Sequence, residues 1–545
     1  MKGKMKGIMR GAGALAACSL VGKALGALYR LPLVSIIGDE GTGVYQLATA
    51  VYALFFTLAC GGLPVAVSRF VAADHETERL ASIIVWISGA IGLVFGAVFA
   101  ALSPLFAAVQ GNSAAAAAYL AVAPALVFAT VLSGLRGYFQ GKGNLLPTSL
   151  SQLVEQAVKL VVGLWLARVF ASRGAASGAV GALLGVSVSE IVASGAVALF
   201  FAIKPQKTTK RQLKAAEHTG NLLASSPLEA ATDVAIDGYG INNKTADKKQ
   251  NPRRIPRKTE VKSVAKAIIS AAVPITLGAL VMPLTGVADS LTVVNILSAR
   301  GLSAAEATAC YGLLGAVNTL VNLPVTISYA FAVALLPKVA GAKTAAVADG
   351  EIRFVTRLAL IFSAFCAAFY VIFARDIVAF LYPSLSPLSA SLTVTLLRAE
   401  APAVMYSSLL GVATAALQGS GKSGAAARNL AIGGAIKVAV SVILLRFTGA
   451  VGASAGTVAC YAATLVLDLI GLRAFRSVAL GRAAGTFAAI AVGIAVTELA
   501  ALALTGAAPI ARLAIGLTAG AAATYALCGR AFGREERIRL PFFKH

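Results

Sequence analysis

Lys23, Arg30, Lys159, Arg398 and Lys437 stand inside stretches of sequence that are otherwise apolar. The same stretches hold the carboxylates Glu155, Glu190, Asp289, Glu400 and Asp468. A basic side chain at the middle of a bilayer costs ~2.5–3.5 kcal/mol, so it normally faces a cavity or a partner. Lys23 and Arg30 lie seven apart and therefore on one face of one helix. Each residue has a purely structural reading: Glu155 and Lys159, four apart, can neutralise each other, and Arg30 can snorkel to an interface. Taken together they favour a water-filled cationic cavity, which suits an anionic substrate. Glu155 and Asp289 are the candidate coupling or charge-partner carboxylates.

Two motifs that look catalytic do not survive inspection. Gly419-Ser420-Gly421-Lys422-Ser423 suggests a phosphate loop, but that pattern needs Gly where Ala416 stands, and it follows a helix and not a strand. Gly452-Ala453-Ser454-Ala455-Gly456 fits G-x-S-x-G, yet a nucleophile elbow requires a strand-to-helix turn. The six cysteines all fall in apolar stretches without a C-x-x-C pair, and the three histidines lie in polar segments. Neither set has metal-ligand spacing. The expectation is a chain with no cofactor, no metal and no enzymatic activity.

The elements that must position these charges are membrane helices. The chain has 545 residues, of which 58% are hydrophobic and only 13% charged, and its mean hydropathy is +0.82. Soluble domains are roughly a quarter charged. Apolar segments of about 20 residues recur between short polar breaks, about fourteen in all, long enough to cross ~30 Å of hydrocarbon. They lack the alternation of barrel strands, so the fold class is all-α and polytopic. The net charge of +24 has its simplest cause in basic cytoplasmic loops facing anionic lipid, with no aromatic interleaving that would suit nucleic acid. Basic residues gather at the N-terminus and in alternate loops, which places both termini in the cytoplasm.

Internal similarity divides the chain further. Gln140-Gly141-Lys142-Gly143 answers Gln418-Gly419-Ser420-Gly421-Lys422, and nineteen residues beyond each Gln stands a lysine, Lys159 and Lys437. Gly178 to Ala182 matches Gly449 to Ala453 letter for letter, and Leu63-Pro64-Val65 matches Leu323-Pro324-Val325. Four pairs in the same order predict two six-helix lobes of like orientation, a plan used by secondary transporters. The predicted division is a first lobe over residues 1–203, a basic, disordered linker over 204–263, a second lobe over 264–477, two further helices over 478–531 and a tail over 532–545. Pro64, Pro274, Pro283 and Pro324 interrupt spans near the repeated motifs and are candidate hinges.

The run Lys23 to Leu33, then Gly38-Asp39-Glu40-Gly41-Thr42-Gly43-Val44-Tyr45-Gln46, resembles the start of SpoVB/YtgP-type proteins. Gly62-Leu63-Pro64 through Ser68-Arg69 and Pro147-Thr148-Ser149 through Lys159 continue the resemblance. These proteins form the MurJ-like branch of the multidrug/oligosaccharidyl-lipid/polysaccharide exporter superfamily. The resemblance implies two lobes in a V around a cationic cavity, with two extra helices forming a lipid-tail groove. It implies transport of a polyprenyl-pyrophosphate glycolipid, such as lipid II, across the bacterial cytoplasmic membrane. By position Lys23 is similar to the family's cavity-facing first-helix arginine, whereas the second helix departs from the family pattern. The expected carrier is a monomer that binds the pyrophosphate through Lys23, Arg30, Lys159, Lys437 and Arg398 and couples to the membrane potential or to Na+ or H+. Two other classes remain open: a cation-coupled drug exporter, and a non-transporting membrane scaffold.

Overall fold

The computed structural model describes residues 2–73, 78–203, 257–342, 344–472, 483–504 and 508–531. Most of the linker and the C-terminal tail lie outside the described residues, as does the Lys23 side chain. Among the described residues the structure is helical, without strands. Ten helices are long and apolar enough to cross a membrane, and Val264–Ala279 and Ala489–Ala503 are shorter apolar helices. The fourteen segments read from hydropathy do not map onto these one to one. Ala24–Ala72 runs through two of them, whereas the predicted span from Val264 to Leu297 is broken at Leu280 into two helices.

The chain forms two compact units, and the division crosses the chain more than once. One unit comprises residues 1–29 and 47–287, the other residues 30–46 and 288–545. The segment from Arg30 to Gln46 therefore packs with the second unit, and residues 257–287 with the first.

In the first unit the order is α1 (Lys2–Cys60), α2 (Leu63–Ala73), α3 (Glu78–Ala101), α4 (Ser103–Val109) and α5 (Ala116–Gly141). These are followed by α6 (Leu146–Val158), α7 (Leu164–Ala171), α8 (Ala175–Ile203) and α9 (Arg257–Ala279). A single π-turn, Lys159–Gly163, joins α6 to α7. The core brings Leu63, Val67, Ile84, Leu135 and Phe139 together with Val264 and Ile268 of α9. The close approach of α2 to α9 depends on Gly62: a Cβ there would collide with the Ala272 carbonyl, and its N–H donates to Thr276 Oγ1 at 3.1 Å.

The second unit contains α10 (Val281–Ala299) from Ala288 onward, α11 (Ala304–Ala340), α12 (Ala345–Ile372), α13 (Ala374–Leu381) and α14 (Pro387–Gly419). Its remaining helices are α15 (Ser423–Thr448), α16 (Val451–Gly471), α17 (Ala483–Ala503) and α18 (Pro509–Ala531). Leu335, Ala359, Ile361, Val412 and Ala416 build its core. The segment 30–46 belongs here because α1 breaks at Gly38, whose φ of 69° is left-handed. Past the break, Gly43 lies against the backbone of Thr308 and Gly312 on α11. Asp39 Oδ2 accepts from Ser389 Oγ at 2.5 Å.

Helix pairs in this unit interlock through small residues. Gly433 faces Thr464 and Gly456 faces Ser441 across α15 and α16; Gly493 faces Thr524 and Gly520 faces Thr497 across α17 and α18. The three threonine hydroxyls donate to carbonyls one turn back on their own helices and so keep a partner at the contact, whereas Ser441 Oγ is buried without one. Large apolar side chains point outward instead, with Trp86 78% and Phe447 74% exposed. That exposure is stable against acyl chains and untenable in water.

The two glycines Gly38 and Gly62 predict a contrast. Gly38→Ala meets open space and carries only the backbone cost of φ 69° with ψ −173°, a region kept almost wholly by glycine, ~1–3 kcal/mol. Gly62→Ala drives a methyl into backbone that cannot yield. Thermal unfolding in detergent should show the larger loss for Gly62→Ala; an equal or smaller loss would contradict the α2–α9 packing.

Candidate functional site

The intramembrane charges divide by what holds them. In the second unit, Arg30 Nη1 donates to Thr319 Oγ1 at 3.1 Å and to the Gly315 carbonyl at 3.4 Å. Its guanidinium also lies 5.7 Å from the centre of the Tyr45 ring. All three partners are neutral, and Arg30 has no carboxylate partner among the described residues. A cation–π contact is worth ~0.5–2 kcal/mol, less than the cost of placing the charge in hydrocarbon. Arg30 thus keeps an unspent positive field.

Lys159 is held in a similar way in the first unit. Its Nζ lies 5.1 Å from the centre of the Tyr29 ring. Tyr29 is fully buried, with its hydroxyl donating to the Ala182 carbonyl at 3.4 Å. The π-turn that begins at Lys159 brings Gly163 against both the Tyr29 ring and Gly185 of α8. Such single turns recur at functional positions because they displace a side chain from the regular helical register.

Glu155 does not neutralise Lys159. Its Oε2 pairs with Arg136 Nη2 at 2.9 Å, and Arg136 Nε donates to Ser151 Oγ at 2.9 Å. Arg136 comes from α5 on a different helix, so no spacing rule along α6 could have found the pair. This removes the carboxylate that the four-residue spacing offered to Lys159.

Lys437 proves to be matched. Its Nζ meets Asp289 Oδ2 at 2.5 Å, both side chains being largely buried. Asp289 is therefore the ion-pair partner of Lys437. Nearby Glu400, fully buried, lies in the field of both and accepts from Ser454 Oγ at 3.2 Å. Asp289 Oδ1 and Glu400 Oε1 are buried without a hydrogen bond. One lysine shared by two carboxylates leaves the cluster one proton short of neutrality. Glu400 was visible in the sequence as an acidic residue in a span; its convergence on Lys437 through α14, α15 and α16 was not.

Arg398 stands elsewhere in the second unit, beside Arg375 in a groove between α13 and α14. Of the candidate hinges, Pro64 lies at the start of α2, Pro274 inside α9, Pro283 in the first turn of α10 and Pro324 in mid α11. Among the described residues no group of three or more His, Cys, Asp or Glu side chains is placed to hold a metal ion.

Similarity to known proteins agrees with this architecture. Residues 8–234 match the family model described as "Polysaccharide biosynthesis protein". Stage V sporulation protein B of Bacillus subtilis (strain 168) is 26% identical over 447 residues, covering 80% of this chain and 77% of its own length. The lipid II flippase MurJ of the same organism is 25% identical over 499 residues, covering 85% and 82%. Among solved structures, a lipid II flippase MurJ in an inward closed conformation superposes with a TM-score of 0.68 at 10% identity, covering 94% of this chain and 98% of that one. A multidrug-resistance MATE transporter superposes at 0.59 with 16% identity, covering 84% and 95%.

The class is therefore an all-helical membrane protein of the MurJ/MATE fold. In sequence the chain is similar to stage V sporulation protein B and to the lipid II flippase MurJ.

The Lys437–Asp289 pair makes a direct prediction. Lys437→Met leaves a buried carboxylate unmatched and should cost ~3–5 kcal/mol, whereas Lys437→Met with Asp289→Asn should recover much of that. Thermal unfolding of the single and double variants in detergent measures the coupling. Additive losses would show that the two groups do not depend on each other.

Proposed function

We propose that the protein flips an undecaprenyl-pyrophosphate-linked cell-wall or polysaccharide precursor, similar to lipid II, across the cytoplasmic membrane by alternating access. The observation that carries this reading is Arg30: a cation held by two oxygens and a ring, all uncharged, and left without a carboxylate. A pyrophosphate supplies what that guanidinium lacks, because its oxygens accept the charge-assisted hydrogen bonds that a fork of N–H donors offers. Lys159, set over Tyr29, is a cation of the first unit without an ion pair among the described residues. Lys23 lies on the same helix face as Arg30 by its spacing and is assigned the same role.

Coupling falls to the second cluster. Asp289, Glu400 and Lys437 hold three titratable groups in a buried place with one charge too many, which suits loading and release of one H+ or Na+ per cycle. Both termini face the cytoplasm, as the basic loops suggest. The polyprenyl tail stays in lipid throughout, and the carrier works as a monomer. A drug-cation exporter is the weaker reading, since its substrate would be repelled by Arg30.

Reconstituted vesicles loaded with fluorescent lipid II test the assignment. Arg30→Gln should slow translocation at least ~10-fold and Arg30→Lys less, since lysine keeps the charge but not the fork. Wild-type rates with Arg30→Gln would remove the headgroup site. Glu400→Gln and Asp289→Asn should abolish the response of transport to an imposed pH or sodium gradient, and an unaltered response to both would relocate coupling.

A further inference from the structure

The groove that contains Arg398 is separate from the groups used so far. It encloses about 440 Å³ and is lined by Arg375, Val378 and Ala379 of α13 and by Ala390, Ser391, Val394, Thr395 and Arg398 of α14. Arg398 Nε donates to the Val371 carbonyl at 3.2 Å, in the last turn of α12. That bond fixes the guanidinium and engages one of its five N–H donors. Arg375 is exposed at the start of α13.

The charges around the groove do not cancel. The carboxylate next to Arg375 in sequence, Asp376, is taken by Arg512 of α18 at 2.8 Å. Neither Arg375 nor Arg398 has an ion pair among the described residues. Two guanidinium groups and two hydroxyls thus converge on one concavity whose remaining walls are Val378, Ala379, Ala390 and Val394. Outside it, Phe380 and Leu388 are exposed, the latter by 80%, as befits side chains in lipid.

The position along the bilayer follows from α12. That helix runs 28 residues, about 42 Å at 1.5 Å per residue, and the groove sits at its C-terminal end. Arg353 and Arg357 lie near its other end. By loop charge, the basic end is cytoplasmic and the groove lies toward the outer face.

We propose that the groove formed by Arg375, Ser391, Thr395 and Arg398 is a docking site for the phosphate headgroup of an anionic lipid in the outer leaflet. Two positive forks suit a phosphate oxygen cluster, which accepts bidentate bonds from arginine. The apolar walls and the lipid-facing Phe380 and Leu388 favour a ligand that brings acyl chains with it over a soluble ion. The Arg512–Asp376 pair ties α13 to α18, so an occupant would bear on the final helix hairpin.

Native mass spectrometry of the full chain in detergent, titrated with phosphatidic acid, phosphatidylcholine or inorganic phosphate, tests this. Phosphatidic acid should be retained by the wild type and lost about tenfold more readily by Arg375→Gln/Arg398→Gln, as expected for removal of charge-assisted bonds. Arg375→Gln alone leaves the Arg398–Val371 bond intact and should give part of the effect, which separates binding from folding. Arg353→Gln/Arg357→Gln should change nothing. Equal retention by the wild type and the double variant would overturn the site, as would equal retention of phosphatidylcholine. Binding of inorganic phosphate without phosphatidic acid would overturn the lipid assignment.

Discussion

A full charge inside a membrane must be matched, and this protein matches its charges unevenly. Arg136, Lys437 and Arg512 each meet a carboxylate at hydrogen-bond distance. Among the described residues Arg30 meets a carbonyl, a hydroxyl and an aromatic ring, and Lys159 lies over an aromatic ring, neither with an ion pair. The first arrangement cancels the field; the second orients the cation and leaves its field open. Much of the surrounding architecture serves that second arrangement. Gly43 lets the segment after the Gly38 break dock on α11, where Arg30 finds Gly315 and Thr319. The π-turn and Gly163 let the Tyr29 ring lie under Lys159.

The internal repeat explains why two lysines occupy like places yet behave differently. The displacement in sequence that carries Leu63 onto Leu323 also carries Tyr29 onto Asp289. Lys159 sits over Tyr29, and Lys437 pairs with Asp289. The same helix-to-helix contact is thus made in each half, with an aromatic ring in one and a carboxylate in the other. A ring leaves the lysine's charge available, whereas a carboxylate consumes it and creates a titratable buried pair. One repeat position thus carries two different environments, a lysine over an aromatic ring and a lysine paired with a carboxylate.

Much of the fold was legible because lipid imposes length and apolarity on each span, and those are properties of local sequence. The helical class, the membrane setting and the charged residues inside spans all follow from that. Breaks were harder: Leu280 is an ordinary apolar residue, and the local mark of the break is Pro283, which stands in the first turn of α10 and has no N–H to give the turn before it. Pairing was harder still. The four-residue spacing of Glu155 and Lys159 offered a local partner, but Arg136 from α5 reaches both Glu155 and Ser151 and wins the carboxylate. Lys437 looked like an open cation because its partner Asp289 lies far away in sequence. Glu400 and Arg375 gained significance only when helices from different parts of the chain converged.

Arg30 meets no carboxylate among the described residues, and the proposed headgroup would supply the missing anion. A cryo-electron microscopy structure of the full chain saturated with a polyprenyl-pyrophosphate sugar tests this. Pyrophosphate density should lie within hydrogen-bond distance of the Arg30 guanidinium. Headgroup density elsewhere, with Arg30 still bound only to Gly315, Thr319 and Tyr45, would rule the site out.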